Sequence, residues 1–143
     1  ETGEFVYNMA TWDQREQMNQ TGLIIDREQD ELAQTGLEGI PSNMVAPPRI
    51  KGSPVQFECT LHEIVVLPGD SKMFVHHAVF GQVVGVHIAD EAISEDGIFE
   101  VARVRPIARL GYKDYSWVDE TNMFQMEKRT PEELIGKPPQ AAE

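Results

Sequence analysis

The sequence predicts a mainly β fold, a β-rich α+β domain with short flanking helices, and three observations carry that expectation. Val55, Phe57, Cys59 and Leu61 are apolar and alternate with Gln56, Glu58, Thr60 and His62, the period-two pattern of a half-buried strand. A second long run, Met73 to Ile88, is rich in Val, Phe and His and lacks the three-and-four spacing of a helix. Gly81 and Gly85 sit inside that run, which suggests a bent or bulged strand in a barrel.

Taken in order, Phe5-Val-Tyr-Asn-Met9 has the β-branched and aromatic content of a short strand. Thr11 and Gln14 form a capping-box pattern, and Asp13 and Glu16 suit a helix N-terminus, so a helix is expected from Thr11 to about Gln20, stopping near Gly22. Leu23 to Gly39 is mixed and acidic, with one short helix at Asp30-Glu-Leu-Ala-Gln ended by Gly36. Pro41, Pro47 and Pro48 make Ile40–Ile50 an extended connection laid across a surface. The strand from Val55 continues through Ile64-Val-Val-Leu67 into turn residues Pro68-Gly-Asp70, and a twisted antiparallel sheet follows.

Beyond the sheet, Asp96-Gly97 reads as a turn and Phe99 to Ile107 as a short helix stopped by Pro106. Leu110–Val118 reads as a loop and Asn122–Met126 as a last strand. Thr130-Pro-Glu-Glu-Leu opens a helix with Pro at its first position, and the tail from Lys137 is expected to fray. The boundaries drawn are a domain over 1–128 and a short helix and tail over 129–143.

With 143 residues the chain fits one domain with one core. Its formal net charge of −12 argues against a nucleic-acid partner, which needs clustered Lys and Arg. No apolar run approaches the roughly 20 residues of a membrane-spanning helix. The single cysteine, Cys59, excludes an internal disulfide framework, and a cytoplasmic location is expected. The chain starts at Glu1 rather than Met, on a segment that reads as a strand already under way, as though something were missing in front.

No Gly-rich phosphate loop or hydrolase serine elbow is present. Cys59, on the apolar face of its strand, reads as a small core residue. His62, His76, His77 and His87 match no metal-ligand spacing; they read as hydrogen-bonded sheet residues, with His76 or His77 a candidate for a ligand cleft. Tyr112, Tyr115 and Trp117 form either a packed rim or a wall beside a planar ring system.

Four pieces resemble one family together. Pro41-Ser-Asn-Met-Val-Ala-Pro-Pro-Arg-Ile leads into Ser53-Pro-Val-Gln-Phe-Glu-Cys. Val79-Phe-Gly-Gln-Val-Val-Gly-Val-His-Ile and Arg105-Pro-Ile-Ala-Arg-Leu-Gly-Tyr-Lys-Asp-Tyr115 follow in the same order. This arrangement resembles the flavin reductase-like family over nearly the whole chain. The resemblance implies a split β-barrel that binds FMN, or in some members FAD, at a homodimer interface. It also implies NAD(P)H as co-substrate, delivering hydride to the flavin N5 without a protein acid or base. By position, Asn8 matches a strand-end Asn, and Met9-Ala-Thr11 is similar to a segment lying along the flavin. The helix N-terminus at Thr11 could also offer N–H groups to a phosphate. His76 matches the His of a Gly-Asp-His pattern near the nicotinamide, with Phe74 and Val75 replacing Gly and Asp. Tyr112 and Tyr115 match a segment at the cofactor rim. Family members also carry an N-terminal portion with several barrel strands and most flavin phosphate contacts, and Glu1 falls about where that portion ends. Two functions follow: an NAD(P)H-dependent flavin reductase, feeding an acceptor or a monooxygenase partner, or a non-catalytic flavin-fold subunit that serves as dimer partner or cofactor module.

Overall fold

A computed structural model of the chain describes residues 2–26, 28–69 and 75–135. Strands dominate it. β1 (Glu4–Asn8), β4 (Val55–Leu67) and β5 (His76–Ile88) form an antiparallel sheet in the order β1-β4-β5. β1 covers only the first half of β4, pairing Glu4 with Thr60 and Asn8 with Gln56. Beyond it β4 and β5 continue as a two-stranded ribbon that pairs Glu63 with Phe80 and Leu67 with His76. Register shifts at Glu58/Cys59 and Leu61/Glu63 are the irregularities that the glycines in the β5 sequence suggested. Met73, Phe74 and Asp70, which the sequence assigned to this hairpin and its turn, lie outside the described residues.

The two sheet faces are covered differently. One carries Gln56, Glu58 and His87, and the Pro-rich connection lies over it, with Met44 against Gly85. That connection is pinched at its ends into a two-stranded ladder, β2 (Gly39–Ile40) with β3 (Arg49–Ile50). The other face is apolar and mostly open. Tyr7 and Phe57 stack there with ring centroids 5.4 Å apart, and Val83, Val86 and Ile88 are exposed beside them. Among the described residues the buried set is small and half polar: Val45, Val55, Cys59 and Ala92, with Thr11, Ser53, Gln56 and Glu58.

Helices are short. The expected helix from Thr11 begins as a 3₁₀ turn (Trp12–Gln14), and α1 proper spans Arg15–Gln20. The capping box does not form. Thr11 caps through its carbonyl, which accepts from the Gln14 N–H at 3.1 Å, while the Gln14 side chain donates to the Lys51 carbonyl at 3.1 Å. α2 (Glu31–Thr35) matches expectation: the Asp30 carboxylate accepts from the Leu32 N–H, and Gly36 ends the helix at φ +73°.

Three expectations fail between residues 99 and 126. α3 is confined to Val101–Val104, because Arg105 turns left-handed at φ +48° and Pro106 offers no N–H. Ile107 opens a strand, and what read as a loop is a hairpin of β6 (Ile107–Gly111) and β7 (Asp114–Trp117). Asn122–Met126 is no strand. Asp119 instead accepts from the Thr121 N–H and hydroxyl and from the Trp117 indole, holding the chain in a local turn. α4 (Pro131–Leu134) starts at the expected Pro, and Thr130 with Glu133 forms a capping box there. The tail from Lys137 lies outside the described residues.

Candidate functional site

The turn after β1 is stitched to two separate parts of the chain. The Met9 N–H donates to the Val55 carbonyl at 2.9 Å, and the Ser53 hydroxyl donates to the Met9 carbonyl at 2.9 Å. On the other side the Ile107 N–H donates to the Ala10 carbonyl at 3.1 Å, and the Trp12 N–H to the Arg105 carbonyl at 2.9 Å. Between these anchors the Ala10 and Thr11 N–H groups have no acceptor among the described residues, although Thr11 is only 6% exposed. Thr11 is buried and Ala10 half-buried, and the two N–H groups in succession are available to an acceptor from outside the turn.

The Ala10–Ile107 bond also sets β6 and β7 beside the 3₁₀ turn and α1, and a cleft of about 990 Å³ lies between them. Its aromatic side is Trp12, Tyr112, Tyr115 and Trp117, with the two indoles 4.5 Å apart and tilted by 47°. Arg15 lies 4.1 Å over the Trp12 ring, and Arg109 is 5.9 Å from the Tyr115 ring. Tyr112 holds a left-handed backbone, φ +48°, while 96% exposed, a conformation that costs about 1–2 kcal/mol in a non-glycine residue with no packing to offset it.

The structure therefore brings Met9, Ala10 and Thr11 next to the element that carries Tyr112 and Tyr115. Asn8 belongs to the fold: its side-chain oxygen accepts from the Ile50 N–H at 2.8 Å, and its amide donates to the Val6 carbonyl. His76 is not brought in. It stands opposite Leu67, eleven positions along β5 from His87, whose partner Gln56 pairs with Asn8. That separation is roughly 35 Å of strand. The helix at Thr11 contributes little as an anion site, since α1 has only six residues and follows a 3₁₀ turn.

Sequence reasoning missed Trp12, Arg15, Arg109 and Lys113 as cleft residues, because nothing local to Trp12 signals a partner at Trp117. It also missed Glu58, which has no accessible surface. Its carboxylate accepts from the N–H groups of Asn43 (2.9 Å), Met44 (2.5 Å) and Val45 (3.2 Å), lies 2.6 Å from His87 Nε2, and has Arg49 Nε at 3.8 Å. Burial opposes its ionisation. The Asn43 and Met44 N–H groups, with the hydrogen bond and charge of His87, outweigh burial and hold the carboxyl down at about 2, against an ordinary 4.5. Among the described residues no group of three His, Cys, Asp or Glu could hold a metal, and no helix is long and apolar enough to cross a membrane.

Residues 1–113 match the flavin reductase like domain, a span that includes the Met9–Thr11 turn and reaches Lys113 in the cleft. A protein of Aquifex aeolicus, itself uncharacterized, is 34% identical over 115 residues, covering 80% of this chain and 56% of its own length. The 2-nitrobenzoate 2-nitroreductase NbaA of Pseudomonas fluorescens superimposes with a TM-score of 0.74 at 28% identity, over 90% of this chain and 61% of that one. A split-barrel protein of flavin reductase type from Shewanella frigidimarina gives a TM-score of 0.75 at 23% identity, over 90% and 62%, which speaks to fold. The chain thus spans little more than half the length of the relatives it matches. Its strand-rich architecture is that of the split barrels, and the chain belongs to the flavin reductase-like family.

Proposed function

We propose that the protein binds FMN and passes hydride to it from NAD(P)H, as a flavin reductase-type oxidoreductase that works as a homodimer. The observation that carries this reading is the Met9–Thr11 turn, with two adjacent N–H donors lacking an acceptor in a family built around flavin. An isoalloxazine edge presents carbonyl and ring-nitrogen acceptors, the chemistry such donors fit, and FAD presents the same edge. When bound, the flavin supplies the redox chemistry, accepting hydride at N5. The chain's part is positional. Ser53 and Ile107 fix the carbonyls of Met9 and Ala10, so the intervening donors stay aimed. For His76 to share this site it must come from a second copy, which accords with a dimer.

One observation favours the non-catalytic reading: the apolar face of β1-β4-β5 is open, so flavin retention could require further strands or a second chain over it. The absorption spectrum of purified protein with added FMN, before and after anaerobic NADH or NADPH, separates the two. Flavin bands that travel with the protein and bleach on reduction support the reductase. Retained flavin that neither nucleotide bleaches selects the cofactor module. No retained flavin at micromolar protein with excess FMN overturns the reductase reading for this chain alone and leaves the non-catalytic dimer partner.

A further inference from the structure

The chain carries 24 acidic and 12 basic residues, yet the cleft between α1 and the β6–β7 hairpin inverts that balance. Arg15, Arg109 and Lys113 line it against a single acid, Glu16. Two of these cations are held in place. Arg15 donates to the Trp12 carbonyl at 2.7 Å and to Glu16 at 3.2 Å, with its guanidinium carbon over the Trp12 ring. Arg109 donates to the Tyr112 carbonyl at 2.9 Å and leans on Tyr115. Each fork keeps further N–H groups for a ligand. Lys113, at the tip of the hairpin, makes no ion pair among the described residues.

Like charges gathered beside an aromatic wall repel one another, and an anion offsets that repulsion. A planar ring with a phosphate answers both features, since bases stack on aromatic side chains and Arg or Lys pair with phosphate oxygens. The volume, about 990 Å³, is ample for a nucleotide half.

We propose that this cleft is a nucleotide-phosphate site, which receives the adenosine end of the pyridine dinucleotide and favours a ribose 2′-phosphate over a free 2′-hydroxyl. The proposal rests on the reductase reading for the identity of the dinucleotide. The 2′-phosphate monoester carries close to two charges at neutral pH, so three nearby cations discriminate where a hydroxyl gives them nothing to bind.

The sequence has two tryptophans, and Trp12 and Trp117 both line this cleft, so intrinsic indole emission reports on it alone. The test titrates AMP and adenosine 2′,5′-bisphosphate into the full chain while following that emission, with FMN titrated in parallel by flavin fluorescence. The bisphosphate is expected to bind about tenfold tighter than AMP, the difference shrinking in Lys113→Ala and Arg109→Ala and with added salt. Lys113 is an exposed turn residue, so its variant keeps the test valid should Arg109→Ala fail to fold. Equal affinities for the two nucleotides overturn the 2′-phosphate preference, and no quenching by either overturns the site. Competition between FMN and the bisphosphate overturns it in favour of a flavin site. Bisphosphate binding without FMN binding leaves the site standing while the reductase reading falls.

Discussion

Glu58 shows how one side chain organises a segment that has little regular hydrogen bonding of its own. Its carboxylate takes three successive N–H groups of the Pro-rich connection and ties them to His87 on β5. The folded carboxyl ionises at about 2, below its ordinary 4.5, so the unfolded chain binds more protons over that interval. The stability Glu58 contributes is therefore complete above about pH 4.5 and is lost as pH falls toward 2. Urea midpoints measured from pH 6 down to pH 3 should fall in the wild type and stay flatter in Glu58→Gln. At pH 7 the variant should melt lower, by about 5 °C or more. None of this was legible in the sequence, where Glu58 occupies a polar position in an alternating strand. Alternation places a residue on a face; it does not reveal what covers that face. Asn8 carries the same lesson, since its match to a family position concealed a bond to Ile50.

At the level of elements, the long strands were readable because their signal is local. Val55–Leu61 alternates, and the β5 sequence is too β-branched and too interrupted by glycine for a helix. The errors fall where the deciding contact is distant. β6 and β7 are a hairpin because they pair with each other and because Ile107 bonds to Ala10, which no window around residue 107 contains. Asn122–Met126 has strand-like apolar residues but no partner strand, and Asp119 claims the turn before it. The glycines of β5 were rightly read as close approaches. A Cβ on Gly81 would meet the Phe5 ring tip, including Cε1 at 2.7 Å, and Cys59 Cβ at 3.2 Å. Gly81→Ala should destabilise the sheet by about 1–3 kcal/mol in chemical denaturation. Combining it with Phe5→Leu should recover part of that loss, and a strictly additive pair would mean the clash lies elsewhere.

For the molecule as a whole, the uneven covering of the sheet matters most. The face under the Pro-rich connection is polar and satisfied, while the opposite face leaves Tyr7, Val83, Val86 and Ile88 in contact with solvent. Apolar surface of that kind associates, despite a net charge of −12 that favours dispersion. Sedimentation should show the chain self-associating, and Val86→Lys, at a position 56% exposed, should shift it toward monomer with its β-sheet circular dichroism unchanged. A wild-type monomer at all concentrations would remove the homodimer from the proposed function. The fold class was legible from composition and period. The cleft was not, because it is assembled from residues 12–22 and 107–117, which meet only in three dimensions.

The placement of Cys59 has a practical consequence. It is the only thiol in the chain, buried at the register position opposite Phe5, and burial pushes its ionisation up. An alkylating reagent reaches a buried thiol through local opening, so the rate of modification becomes a clock for motion around Phe5 and Cys59. Anything that pins the sheet, whether a bound flavin at the following turn or a second chain on the apolar face, should slow the clock. One reagent and a mass spectrometer would then read cofactor and partner occupancy in the same native protein.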